Sequence, residues 1–325
     1  MLTRRGEWQT LGVKEAKRLG MERSAAVAAG IPAAIALLTA VYVAAVEPRR
    51  VRIVRFRLRV ADLPAALDGV RIVHLTDFHL GMAGTRGSTL RRAVAAAVAA
   101  RPDLIALTGD FVDARVWEWS GDQFAPLARA APALAVLGKH DRLASAAATE
   151  RIVAHLTGQG VRVLRHEHVA PSLRDGAAAL TVVAVDHPVE GHDDLPGAMV
   201  GLSTAPESAC PALLLGHAPD IVRQAPPGRF ILTLAGHTHG GQIRLTPFRR
   251  RTPLDVSMAA GDLDSTYARG THVVAANPLF VNNGLGSSGV PLRFLAPPQV
   301  AVFRLTAGLL TKATDDPARS FEAAG

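Results

Sequence analysis

A single cysteine, Cys210, stands in 325 residues. It excludes an internal disulfide or a thiolate cluster within one chain, so any bound metal must take imidazole and carboxylate ligands. Aromatic residues are scarce at 5%, and no nucleic-acid-binding motif or aromatic interleaving is present, so no specific nucleic-acid partner is expected. Linkers and internal repeats are missing between residues 50 and 305, which therefore read as one domain of catalytic size. Acid is the scarcer charge: 28 Asp and Glu against 36 Lys and Arg leave +8. That balance favours anionic partners such as phosphate groups and acidic lipid headgroups. What the chain has in quantity is apolar residues, 49% of the total, enough for a core and too many for a disordered protein.

Charge is absent altogether from Ser24 to Val46, a stretch of 23 residues rich in Ala, Val, Ile and Leu. A helix of that length covers the ~30 Å hydrocarbon core at ~1.5 Å per residue. A buried core helix would carry a polar face, and this run has none. The organisation that follows is a basic tail over 1–23, a single-pass anchor in the cell membrane over 24–46, a domain over 47–308 and a loose polar tail over 309–325. Arg4-Arg5 is followed by Gly6 and Glu7 rather than the apolar residues of an export signal, which favours an uncleaved anchor. Six basic residues precede the anchor and six Arg follow it in 49–59, so the positive-inside rule does not orient it.

Beyond the anchor, Arg55, Arg57 and Arg59 alternate with Val54, Phe56, Leu58 and Val60. A period of two predicts a strand with one apolar and one basic face: either a charge-protected edge or a face held against anionic lipid. Short apolar runs then recur at Val70–Leu75, Leu104–Leu107, Ala133–Leu137, Leu180–Val185, Leu213–Leu215 and Phe230–Leu234. Bounded by Gly and Pro, they suit buried strands. Helices are expected over Leu90–Ala100, capped by Ser88 or Thr89, and over Ser145–Leu156. Alternating strands and helices predict a layered α/β domain.

Five of these runs end in chemistry. They deliver Asp77-Phe78-His79, Gly109-Asp110-Phe111-Val112-Asp113, Gly138-Lys139-His140-Asp141, Gly216-His217 and Gly236-His237-Thr238-His239. Strands that all release carboxylate or imidazole at their exits gather those groups at one sheet edge, where α/β proteins bind ligands. Oxygen and imidazole donors suit divalent metals. A carboxylate such as Asp110 can bridge two ions, and ions ~3.5–4 Å apart could clamp a phosphate and activate a water for in-line attack.

Asp-x-His, Gly-Asp-x-x-Asp, Gly-x-His-Asp, Gly-His and Gly-His-Thr-His, in this order, resemble the calcineurin-like metallophosphoesterases. Glu47-Pro48, the Ile-Val-His-Leu-Thr-Asp-Phe-His-Leu-Gly run, His239-Gly240-Gly241-Gln242 and Asn283-Gly284-Leu285-Gly286 narrow the resemblance to the bacterial membrane-anchored branch. It implies a four-layer αββα sandwich after one transmembrane helix, and a hydrolase acting on phosphodiesters, pyrophosphates or phosphomonoesters. It implies one or two divalent ions (Mn, Fe or Zn), with Asp77, His79 and His239 on the first, Asp110 bridging, and His217 and His237 on the second. His140 matches the general-acid position, with Asp113 or Asp77 as its carboxylate partner. The substrate it implies is a phosphorylated small molecule, lipid or envelope polymer. Where the family usually has Asn before that His, this chain has Lys139, which while protonated offers donors only and cannot coordinate a cation. A metal- and phosphate-binding protein without turnover is the competing expectation.

Of the other histidines, His74 reads as core or as support for the ligands. His155, His166, His168 and His272 lack ligand spacing. His187 and His192 sit in a Gly/Pro-punctuated loop that could face substrate. Arg249-Arg250-Arg251 reads as a solvated loop or an anionic-headgroup site, and Cys210 as a packed small residue.

Overall fold

The computed structural model describes residues 21, 30–82, 85, 87–113, 121–143, 145–176, 178–187, 193–202, 211–244, 267–308 and 321–323. His192, Cys210, Arg249-Arg250-Arg251 and most of the basic N-terminal tail lie outside them. The chain forms two compact units, Met1–Val46 and Glu47–Gly325. A helix over Gly30–Arg49, with a mean hydropathy of 1.8, is long and apolar enough to cross a membrane, which fits a single anchor. Its last residues loosen into a π turn (Tyr42–Val46) and a 3-10 turn (Glu47–Arg49). Pro48 offers no amide hydrogen to carry the helix further.

The second unit is built on two mixed sheets. The first runs in the spatial order β15 (Phe321–Ala323), β1 (Arg52–Val60), β14 (Gln299–Ala307), β2 (Arg71–Leu75), β3 (Leu104–Thr108), β4 (Ala133–Val136) and β5 (Arg162–Val163). The second runs β12 (Gly270–Val274), β13 (Asn277–Val281), β11 (Leu232–Ala235), β10 (Ala212–Gly216), β9 (Thr181–Val185) and β6 (Glu167–Val169). A short pair, β7 (Ser172–Leu173) and β8 (Ala178–Ala179), stands apart. Strands β2 to β5 are parallel, as are β9, β10, β11 and β13.

Period-two alternation sorts the strand residues into layers. Ile72, Leu104, Leu134, Leu213, Leu232 and Phe280 meet between the sheets. Their neighbours Val73, Ile105 and Ala135 face outward onto helices α1 (Gly87–Ala99) and α4 (Ala146–Gly158), with Leu90, Val94, Ile152 and Leu156 against them. On the far side Val183, Val185 and Leu214 pack on Leu195 and Ile221. Helix, sheet, sheet and helix make the four-layer αββα sandwich. The remaining described helices, α2 (Ala125–Ala130), α3 (Lys139–Leu143) and α5 (Leu195–Ala198), are short.

Three expectations need correction. The loose tail over 309–325 does not hold throughout, because Phe321–Ala323 pairs antiparallel with Phe56–Leu58. This pairing satisfies backbone groups that β1 would otherwise leave open. The same pairing means that β1 is not the sheet edge, although its Arg55, Arg57 and Arg59 are exposed as the alternation requires. Helix α1 also starts earlier than expected. Thr89, proposed as its cap, instead donates from Oγ1 to Pro48 O at 3.1 Å.

Candidate active site

Each chemistry-bearing segment leaves the C-terminal end of a strand: Asp77 and His79 after β2, Asp110 after β3, His140 after β4, His217 after β10, and His237 and His239 after β11. Asp77, His79, Asp110, His237 and His239 all have positive φ, between 44° and 72°. Non-glycine residues in that region are strained, and such strain concentrates at functional sites. Gly109 and Gly138 let the β3 and β4 exits touch: a Cβ on Gly138 would stand 2.3 Å from Asp110 N, and one on Gly109 2.4 Å from Gly138 N.

Two groups of donor atoms result, each within 4.8 Å: Asp77, His79, Asp110 and His239, and Asp110, His217 and His237. Asp110 belongs to both. Its Oδ2 lies 3.3 Å from His79 Nε2 and 3.2 Å from His217 Nε2, while Oδ1 accepts from His140 N at 2.8 Å. Asp77 Oδ1 stands 3.4 Å from His239 Nε2, and both oxygens of Asp77 accept from His237 N. His217 Nδ1 donates to Thr108 O at 2.6 Å, which leaves Nε2 as the atom that faces Asp110 and would meet an ion once its proton is lost. A third group joins His79, Asp113 and His140, with His140 Nδ1 4.0 Å from Asp113 Oδ2.

These buried charges act on one another. Burial alone would depress His217, but Asp110 and Asp77 overcome it and push the ring up to about 9. His79 is raised in the same way: burial opposes, and its bond and charge interaction with Asp110 prevail. Burial would lift Asp110, yet His217 and His79 hold it well below the usual carboxylate range. His237 goes the other way, down to about 3, through burial and the nearby His217 charge. Imidazoles that would give up their protons to an ion and an ionised carboxylate, all buried, fit divalent metal as a donor set.

The family model for Calcineurin-like phosphoesterase matches residues 70–241. The chain belongs to this family. It is 30% identical over 268 residues to the Bacillus subtilis protein described as uncharacterized metallophosphoesterase YkuE, covering 81% of this chain and 88% of that one. Phosphodiesterase YaeI of Escherichia coli is 29% identical over 80% of this chain and 90% of its own. A Danio rerio protein described as a transmembrane protein with metallophosphoesterase domain is 29% identical over 80% of this chain and 58% of its own. Divalent metals belong to the chemistry of this phosphoester hydrolase family.

Other residues of this metallophosphoesterase stand around the donor groups, and of these Arg293 was not singled out by the sequence. His187 is buried, with its ring 4.9 Å from that of His237 and 5.4 Å from that of His217. The signal was available: His187 follows β9 at the strand exit, as the ligand candidates follow theirs. Asp141 ties two loops together, accepting from Phe111 N, Val112 N and Gly138 N. Arg293 is fully buried and donates to carbonyls of Asn283, Gly286 and Ala296. Its Nη2 also lies 3.3 Å from His239 Nδ1. His74 is core support, with Nε2 2.8 Å from Thr108 Oγ1. His155, His168 and His272 bond backbone carbonyls and join none of the donor groups among the described residues.

Proposed function

We propose that this chain is a membrane-anchored, metal-dependent phosphohydrolase that cleaves a phosphodiester, pyrophosphate or phosphomonoester. The observation that carries the reading is Asp110 Oδ2, shared at 3.3 and 3.2 Å between His79 and His217. In this reading Asp77, His79 and His239 would hold one ion and His217 and His237 another, with Asp110 available to both. Mn, Fe and Zn accept such mixed oxygen and imidazole ligands. When bound, the ions supply charge for the phosphate oxygens and acidify a water. His140, half-buried with Nδ1 toward Asp113, would pass a proton to the leaving oxygen. Asp141 keeps the β3 and β4 exits in register, and Thr108 O holds His217 in its ligand tautomer. Hydrolysis of bis-p-nitrophenyl phosphate by the full chain, supplied in turn with Mn, Zn, Fe and Mg, tests the reading. No turnover with any metal sinks it.

One observation favours a second reading, a binder with little turnover. Lys139 is half-buried, and its positive charge contributes to lowering both His237 and His187, so its ammonium acts on the second donor group. An ammonium there competes with a cation and supplies one charge where an ion supplies two. The expected outcome is about one tight metal per chain and slow turnover, a direct consequence of that competition. Lys139→Asn should raise the metal content toward two and increase the rate. A wild-type chain already holding two tight ions, with Lys139→Asn no faster, would make this departure harmless.

A further inference from the structure

The second donor group has a further imidazole beside it. His187 is buried, and its ring centroid stands 4.9 Å from that of His237 and 5.4 Å from that of His217. Strand order explains the meeting. Strands β9, β10 and β11 are parallel neighbours, with Val185 opposite Gly216 and Leu215 opposite Leu234. His217 is the first residue past β10, while His187 and His237 are the second past β9 and β11. Three adjacent strands thus release one imidazole each at the edge of the sheet where parallel strands gather ligand groups.

The β9 exit is also held in place. Asp186, the residue before His187, is buried; its Oδ1 accepts from Leu137 N at 3.1 Å and its Oδ2 from Arg142. These bonds tie the β9 exit to the β4 exit of the other sheet and fix the backbone from which His187 reaches. Apart from burial, the groups that act on the His187 charge are His217, His237, Asp110 and Lys139. Its surroundings are therefore the second donor group and the lysine next to it. The first group has four members and the second three, and Asp77, 4.0 Å from His217 Nε2, already serves the first. The His187 nitrogens stand outside the 4.8 Å span of Asp110, His217 and His237. Bringing one in takes a turn of the side chain, and χ2 of histidine is a soft torsion.

We propose that His187 is a ligand of the second ion, which makes that position a site of three imidazoles and one carboxylate: His187, His217, His237 and Asp110. The proposal rests on the two-ion form of the phosphohydrolase reading. A nitrogen-rich set favours Zn and Fe over Mn and Mg, which prefer oxygen, so the two positions should differ in metal preference. His187 also supplies a donor atom where the Lys139 ammonium offers none.

The test titrates the chelator-stripped full chain with Co, whose visible absorption responds to each ligand. The wild type should take up two ions. His187→Phe keeps a ring in that space without a lone pair, and the first ion should bind it unchanged. Its second ion should bind more than about 100-fold more weakly, because loss of a residue that merely supports a ligand costs about 10–100-fold. The absorption of that ion should be lost with it. His187→Asp returns a donor and should recover the second ion with a shifted absorption. A melting curve shows whether each variant folds; if His187→Phe does not, a wild-type absorption in His187→Asp overturns the proposal by itself. Weakening within the supporting range, with the absorption retained, makes His187 a support and overturns the ligand. Two tight ions with unchanged absorption in His187→Phe overturn it too, and leave the hydrolase standing with three donors at its second position. A wild type that takes up one Co overturns it in favour of competition by Lys139. If the variants behave as expected but the wild type hydrolyses bis-p-nitrophenyl phosphate with no metal, the hydrolase reading falls and the ligand stands.

Discussion

Asp110 is the side chain common to the Asp77/His79/His239 group and the His217/His237 group. Asp110→Ala should therefore strip metal from both positions and abolish hydrolysis, whereas His237→Ala should empty one. Elemental analysis of the purified variants decides this, with a melting curve to show that they fold. An Asp110→Ala chain that keeps most of its metal would mean that the ligand set is wrong. The raised His217 makes a separate prediction. In the chelator-stripped chain its ring stays protonated until about pH 9, against an ordinary value of 6.5. An ion must displace that proton, so metal affinity should climb between about pH 6.5 and 9. The stripped fold should do the reverse. A group raised in the folded state stabilises fully below its unfolded value and loses that contribution as pH passes its folded one. Titration calorimetry in buffers of different ionisation enthalpy should detect the released proton, and affinity flat over this window would refute the assignment. At this scale the sequence was readable where a residue type and a strand exit coincide, as at Asp77, His79, Asp110 and His237. The loop-shaping role of Asp141 was readable but not its partners, and Arg293 was not readable at all. Their roles depend on backbone groups brought from distant segments, such as Phe111 N and Asn283 O.

Helix α4 shows an element whose start was legible. Ser145 accepts from Ala148 N at 3.2 Å, as expected for an N-cap ahead of an apolar-periodic stretch. Ser145→Ala should cost about 1 kcal/mol or slightly less, given its exposure, and leave metal content unchanged. A melting curve indistinguishable from wild type would mean that backbone and water already satisfy that turn. The buried strands were legible for a different reason: both faces of β3 and β10 are covered, so their sequences are apolar almost throughout. Strand β15 gave no such signal. Three residues, Phe321–Ala323, form a strand only because β1 offers an open edge, and that edge exists only once the sheet has formed. The order of strands in each sheet was equally hidden, since β14 enters between β1 and β2 from the far end of the chain.

At the scale of the whole molecule, a long apolar helix precedes a domain whose first strand carries exposed Arg residues. Gly30–Arg49 is apolar enough to span a bilayer, and Arg50, Arg52, Arg55, Arg57 and Arg59 follow it with exposed side chains. Insertion through the hydrocarbon core does not depend on salt, but attraction between exposed guanidinium groups and anionic lipid does. The full chain should therefore sediment with membranes at any ionic strength and be released only by detergent. A chain that begins at Glu47 should be soluble. The cut belongs there because the Glu47 carboxylate is buried and accepts from Ala296 N at 2.6 Å, so removing it would damage the fold as well as the anchor. This shortened chain should still bind vesicles rich in phosphatidylserine at low salt. The binding should weaken markedly at 0.15 M and above, where the Debye length shrinks to ~8 Å. Uncharged vesicles should not retain it. If the full chain appears in the soluble fraction with an N-terminus near Val46, the apolar helix is a cleaved signal. If the shortened chain binds charged and uncharged vesicles alike, apolar contact rather than the Arg face holds it to the surface.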